Sequence, residues 1–119
     1  MSASLQHERD NVYRIDLTGV LQEHEFLAMQ RLLAAELDGA NRIRLLVMLT
    51  EFEGWERTAT WRDLTFYVRH GNDIERIAIV GDDRWRAEAL MFAAADLRDA
   101  PVAYFDAVQA AQARAWLSH

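Results

Sequence analysis

The chain has 119 residues, 51% of them hydrophobic, and its 13 basic and 19 acidic side chains leave a formal net charge of −6. This composition is typical of a soluble globular protein, and the acidic balance argues against nucleic acid or an anionic membrane surface as the main partner. Because the sequence contains neither cysteine nor lysine, it excludes disulfides, thiolate metal ligands, thiol nucleophiles and lysine Schiff bases.

No stretch of the sequence has the features of a targeting or membrane-spanning segment. The first ten residues lack the apolar core of a signal peptide, and the longest apolar run, Leu45–Leu49, is far shorter than a membrane span. The sequence also shows no linker composition and no internal repeat. We therefore expect one domain over residues 1–119, a cytoplasmic location and no integral membrane association.

The first elements in chain order are two strands and a helix. Residues Val12–Leu17 alternate between apolar and polar, which predicts a strand with one buried face, and Ser4–Arg9 is a weaker candidate that would pair with it as a hairpin. Gly19 is expected to end the strand. A helix is predicted over Glu23–Leu37, because apolar residues recur there at helical spacing: Phe26, Met29, Leu33 and Leu37.

The middle of the chain predicts a buried strand, a loop and a helix. Ile43–Leu49 is almost continuously aliphatic, as in a central strand of a parallel sheet. Residues 50–60 are expected to form a polar loop. A helix that ends near His70 would follow, with Thr58 or Thr60 as its N-cap.

The rest of the chain continues the alternation of strands and helices. Arg76–Val80 predicts a strand, Arg84–Leu97 a helix, Val102–Phe105 a short strand, and the segment from Asp106 to about Leu117 a last helix. The expected fold is therefore α/β, with a four- to five-stranded, mostly parallel sheet, an N-terminal antiparallel hairpin strand and four flanking helices.

Aromatic residues concentrate in the loops that follow the predicted parallel strands. The carboxyl ends of such strands meet at one edge of the sheet, where α/β proteins usually bind ligands. The functional interpretation is that these rings line a pocket for an apolar or flat small molecule. The favoured interpretation of the rings themselves is that they cover the end of the core or form a dimer patch. The residues are Phe52, Trp55, Trp61 and Trp85.

Charged side chains of both signs occur in the same loops. The acidic residues are suited to acid–base chemistry or to binding a hard cation, but a solvated surface and helix capping are the favoured interpretations; they are Glu51, Glu53, Glu56, Asp82 and Asp83. The arginines are suited to binding a carboxylate or phosphate group of a ligand, although ion pairs with these acidic residues are the favoured interpretation. They are Arg57, Arg62, Arg84 and Arg86, of which Arg57 is the predicted ligand-binding residue.

The sequence contains none of the common catalytic or cofactor motifs. The four histidines lack metal-ligand spacing, the serines lie near the chain ends, and no glycine-rich phosphate loop is present. We therefore predict no catalytic residue, no metal site and no cofactor.

Six stretches carry a resemblance to a known family: Thr18–Val20, Ile43–Leu46, Phe52–Gly54, Ile74–Val80, Tyr104–Phe105 and Ala115–Leu117. Together they resemble the small bacterial SpoIIAA-like proteins, which are related in fold to STAS domains and to the Sec14/CRAL-TRIO lipid-binding fold. The resemblance covers almost the whole chain. It implies a four- or five-stranded sheet flanked by helices, with no established catalytic machinery.

The resemblance also implies a regulatory alternative. STAS relatives act through a phosphorylatable serine at the start of the helix that follows a central strand. The corresponding loop here, Thr50–Thr58, contains no serine. Thr58 and Thr60 are the nearest hydroxyl groups, and they are the candidate regulatory residues.

These observations lead to a functional prediction. We expect a non-catalytic protein that binds an apolar or lipid-like small molecule, or a protein partner, at the carboxyl edge of its sheet. The alternative is a STAS-type regulatory protein–protein interaction module, and a third is an enzyme that uses the acidic loops. The high apolar content in a small chain predicts a homodimer.

Overall fold

The computed structural model describes residues 2–38, 42–57, 73–93 and 100–118. In these residues five strands form one sheet in chain order: β1 (Ala3–Arg9), β2 (Val12–Leu21), β3 (Ile43–Trp55), β4 (Ile74–Gly81) and β5 (Val102–Asp106). β1 is antiparallel to β2, and the other neighbours are parallel. The helices in this part are α1 (Glu23–Asp38), α2 (Arg86–Phe92) and α3 (Ala110–Leu117). The predicted fold class is confirmed.

Different helices cover the two faces of the sheet. On one side, the α1/α2 face, Leu45 of β3 belongs to the same core as Leu33 of α1 and Ala89 of α2. On the other side, the α3 face, Leu46 packs in a second core with Leu117 of α3. Successive residues of a strand point to opposite faces, so the unbroken aliphatic run of β3 supplies both cores.

Arginines of the sheet hold the end of α3. Arg44 of β3 donates to the carbonyl oxygen of Leu117, and Nη1 of Arg76 on β4 donates to the carbonyl oxygen of Trp116 at 2.9 Å. The last carbonyl groups of a helix have no intrahelical donor, and cations are favoured beside them. α3 ends at Leu117, as the sequence predicts.

The helix after β4 starts later than predicted. A 3₁₀ turn, Asp83–Trp85, comes first, and Asp82 caps it by accepting a hydrogen bond from the backbone N–H of Arg84 at 2.9 Å. α2 therefore begins at Arg86. Its predicted end near Leu97 lies outside the described residues, as does the helix predicted between β3 and β4. None of the helices that the structure describes is long and apolar enough to span a membrane.

The prediction that Gly19 ends the second strand is wrong, because β2 continues to Leu21. Gly19 has a φ of +59°, a left-handed conformation that glycine adopts without a steric penalty. The register with β3 shifts on both sides of this residue, so Gly19 is an irregularity within the strand rather than its end.

The predicted loop over residues 50–60 is also partly wrong, because β3 runs on to Trp55. Its last residues pair with the end of β2, Leu21 lying opposite Trp55. Phe52 is buried here while Glu51 and Glu53 are exposed, as expected for alternating sides of a strand. The segment is polar, and its composition therefore suggested a loop. Only the pairing with β2 shows that it is extended.

Candidate functional site

The carboxyl ends of the parallel strands enclose a cleft, called here the carboxyl-edge cleft. Pairing between β3 and β4 stops at Met48 and Val80, whereas β3 continues alongside β2 to Trp55. The two strands therefore separate, and a space of about 360 Å³ opens between them. The residues around it come from the ends of three strands: Leu49, Glu51, Phe52, Glu53, Asp82, Arg84, Trp85 and Ala107.

The arginines Arg84 and Arg86 at this edge interact differently. Arg86 Nε lies 2.8 Å from Asp83 Oδ1, in one of the predicted pairs. Arg84 instead places its guanidinium over the ring of Trp85, 5.1 Å from the ring centroid. The described residues include no group of three or more His, Asp or Glu side chains arranged to hold a metal ion.

Three of the predicted ligand-binding residues form one aromatic cluster: Phe52, Trp55 and Trp85. The Phe52 ring lies 5.0 Å from Trp55 and 5.2 Å from Trp85 between centroids, and the two indoles are 5.9 Å apart, all in edge-to-face geometry. Such pairs add about 0.5–1.5 kcal/mol each beyond area burial. Phe52 is buried, and both tryptophans pack against the core of the α1/α2 face. The cluster therefore closes one end of that core.

A glycine makes room for this cluster. Gly54 has a φ of +111°, and a Cβ built on it would lie 3.4 Å from Cη2 of Trp85. A side chain at this position would be strained by its backbone conformation and would also press on the indole. Gly54 and Trp55 therefore both pack against the indole of Trp85.

The second space in the structure, called here the apolar cavity, lies between the sheet and helices α1 and α2. It has a volume of about 90 Å³ and is partly open to the surface. Phe26 and Met29 of α1, Ala89 and Phe92 of α2, and Trp55 of β3 line it, together with aliphatic side chains of β2, β3 and β4. The helical spacing predicted that Phe26 and Met29 face the core. It held no signal for a gap between them and the sheet, or for the part played by α2.

Trp55 belongs both to the aromatic cluster and to the apolar cavity. Its ring lies 5.5 Å from Phe92, whose own ring lies 5.0 Å from Phe26. The Nε1 atom of Trp55 is buried and has no hydrogen-bond partner among the residues that the structure describes. Buried indole N–H groups usually find an acceptor, and leaving one unpaired costs about 1–3 kcal/mol. Among the described residues that line the cavity, Gln30 of α1 is the other one with a polar side chain.

Of the remaining predicted ligand-binding and regulatory residues, only Arg57 belongs to the part of the chain that the structure describes. Arg57 follows β3 with an exposed side chain and lines neither the apolar cavity nor the carboxyl-edge cleft. Trp61, Arg62, Thr58 and Thr60 lie outside the described residues. Their predicted roles therefore stay predictions.

Tyr104 is the titratable group with the strongest shift near the cleft. Burial of its phenol raises its pKa to about 12, although Arg86 acts in the opposite direction. Its hydroxyl group donates to the carbonyl oxygen of Asp82 at 2.6 Å. A protonated phenol in this position ties β5 to the segment that follows β4, and so holds one wall of the carboxyl-edge cleft.

Comparison with known proteins agrees with this architecture. A model of the SpoIIAA-like family matches residues 12–118. A crystal structure of an uncharacterised protein of the DUF3478 family from Shewanella loihica PV-4, which has a SpoIIAA-like fold, matches with a TM-score of 0.73 and 24% sequence identity. The match covers 97% of this chain and 91% of the other, and at that identity it concerns the fold alone. No curated protein matches the chain significantly. The chain belongs to the SpoIIAA-like family.

Proposed function

We propose that this chain is a non-catalytic binding protein that takes the apolar part of a small molecule into the apolar cavity. The observation that carries the proposal is the cavity itself, which is lined almost wholly by apolar side chains. Protein interiors are otherwise close-packed, with few voids larger than a water molecule. A retained apolar space that opens to the surface is characteristic of a small-molecule site.

The volume of the cavity limits what it encloses. An engineered cavity of roughly 150 Å³ holds benzene, so this smaller space suits a short aliphatic group. Burial of about four CH₂ groups at ~0.8 kcal/mol each contributes ~3 kcal/mol, which on its own corresponds to a Kd of several millimolar. A longer ligand would gain affinity by extending along the rings of Phe26 and Phe92 at the helix side.

The electrostatic character of the region supports binding rather than catalysis. Among the described residues that line the cavity, none is an Asp, Glu, His or Arg. The one strongly shifted group nearby, Tyr104, has its hydroxyl committed to the Asp82 carbonyl oxygen. The proposed ligand therefore lies beside the carboxyl edge, between the sheet and helices α1 and α2. The aromatic cluster packs beside this site.

The test uses xenon and 2-hexanone as probes, because a xenon atom and the four-carbon chain of 2-hexanone are small enough for an apolar space of this size. Binding is followed by heteronuclear NMR of the methyl groups of Leu33, Val47 and Ile79, which line the cavity. We expect saturable shifts at millimolar probe, confined to this region. The Ala89→Leu variant, which adds a side chain within the cavity, should lose them. An absence of saturable shifts in the wild-type protein with both probes would refute the proposal.

Other expectations remain predictions under this proposal. The regulatory alternative concerns Thr58 and Thr60, which lie outside the described residues. Homodimerisation and a cytoplasmic location are likewise untested. Each can be examined without reference to the cavity, so their outcome does not decide the binding proposal.

A further inference from the structure

The apolar cavity contains one feature that an apolar ligand does not explain. Within residues 2–38, 42–57, 73–93 and 100–118, buried Nε1 of Trp55 has no hydrogen-bond partner, although Trp55 lines the cavity. Buried polar groups in native proteins are nearly always paired, so each exception requires a physical reason. An acceptor atom on a bound molecule would provide one.

Trp55 is held in place by its neighbours rather than by its own polar atom. The rings of Phe52, Trp85 and Phe92 surround it at centroid distances of 5.0, 5.9 and 5.5 Å. β3 positions its backbone, because Trp55 pairs with Leu21 at the end of β2. The indole is therefore preorganised, and a ligand that accepts from its N–H would not need to reorder it.

The surroundings of the indole select the charge of the ligand. No arginine or histidine of residues 2–38, 42–57, 73–93 and 100–118 lines the apolar cavity, and no carboxylate of these residues does so. An ion of either sign would therefore be buried there without a counter-charge, which is strongly unfavourable. The net charge of −6 adds a long-range penalty for anions.

We propose that the ligand of the apolar cavity is an uncharged amphiphile, whose short aliphatic end fills the cavity and whose carbonyl, ester or hydroxyl oxygen accepts a hydrogen bond from Nε1 of Trp55. This inference rests on the proposed function and specifies its ligand class. Gln30, the other polar side chain of the lining, both donates and accepts hydrogen bonds, which suits a neutral oxygen better than an ion. Free fatty-acid anions are excluded as the preferred class.

The test compares three probes: 2-hexanone, which has a neutral acceptor, xenon, which has none, and hexanoate, which is anionic. Trp55→Phe keeps an aromatic ring and removes the N–H. Because the smaller ring also enlarges the cavity, the measured quantity is the ratio of the two affinities. We expect this variant to weaken the binding of 2-hexanone relative to that of xenon by about three- to tenfold, the usual net value of one hydrogen bond. Hexanoate at neutral pH should bind the wild-type protein at least about tenfold more weakly than 2-hexanone.

Trp116→Phe is the matched control, because Trp116 belongs to the hydrophobic cluster of the opposite, α3 face. It should change the binding of neither 2-hexanone nor xenon. A second readout is made on the wild-type protein: the indole N–H resonance of Trp55, assigned by its loss in Trp55→Phe, should move downfield with 2-hexanone and much less with xenon.

The outcomes separate this inference from the proposed function. Suppose that xenon binds the wild-type protein, and that Trp55→Phe either leaves the binding of 2-hexanone unchanged or weakens the binding of both probes equally. The indole N–H is then not the hydrogen-bond donor to the ligand, and this inference is overturned although the binding site stands. Preferred binding of hexanoate would overturn the assigned ligand class. If neither xenon nor 2-hexanone binds the wild-type protein, the proposed function itself fails.

Discussion

Replacing Ala89 with leucine should stabilise this protein and at the same time block its binding site. Ala89 lies on α2, is 5% exposed and lines the apolar cavity. Leucine and alanine are both good helix formers, so the substitution does not disturb α2 through its backbone. Its main effect is to put three more carbon atoms where the structure has empty space.

The size of the effect follows from the cavity volume. An unfilled cavity costs about 24 cal/mol per Å³, so complete filling of about 90 Å³ would recover at most about 2 kcal/mol. Ordering the leucine side chain costs roughly 0.5–1 kcal/mol. We therefore expect the free energy of unfolding to rise by about 1 kcal/mol, and the melting temperature by about 4 °C.

The assay is urea denaturation followed by tryptophan fluorescence, with a scanning calorimetry measurement of the melting temperature. The matched control is Ala113→Leu, at a fully buried alanine of α3 that packs on the opposite face of the sheet. Overpacking there should lower the free energy of unfolding by about 1–3 kcal/mol. If Ala89→Leu destabilises the protein as much as this control does, the space beside α2 is absent and the reasoning behind the binding site is refuted.

Three further predictions concern packing, pH and assembly. Gly81→Ala should lower the free energy of unfolding, measured by urea denaturation, by about 1–3 kcal/mol. The added Cβ would lie 2.8 Å from Leu49 Cβ and 2.9 Å from Tyr104 Oη, so a variant as stable as wild type would contradict this packing. The Glu25 pKa is lowered, mainly because the Ser2 N–H donates to its Oε1 at 2.6 Å. Glu25→Gln should therefore lower the free energy of unfolding at pH 7, and this loss should shrink as the pH falls below 4.5; a loss that does not change with pH would contradict the role of the carboxylate. Light scattering should give twice the mass of one chain; a monomer would refute the predicted homodimer.

Part of the candidate site follows directly from the sequence. Once β3 and β4 are recognised as parallel strands, the residues after them must come together at one edge, and Phe52, Trp55 and Trp85 do form a cluster there. The chemistry of the edge was less predictable. Arg84 stacks on a neighbouring indole, and that choice depends on side-chain distances that spacing along the chain does not encode.

Strand boundaries show the limit of local patterns. Residues 50–55 are polar enough to be mistaken for a loop, and Gly19 is a common strand terminator. Both segments are nevertheless extended, because each supplies the hydrogen-bonding partner of the other. The local sequence of neither segment predicts a strand, so the pairing cannot be predicted from either segment alone.

By itself the sequence determined the order of the strands and helices in the described residues, the buried side of α1 and the absence of thiol and lysine chemistry, because these depend on residue type and periodicity along the chain. Only the tertiary structure decided that α1 and α2 cover one face of the sheet without filling the space beneath them. The apolar cavity and the unpaired N–H of Trp55 arise where residues 26–30, 55 and 89–93 meet. Such a gap is a property of packing among distant side chains, which no local pattern specifies.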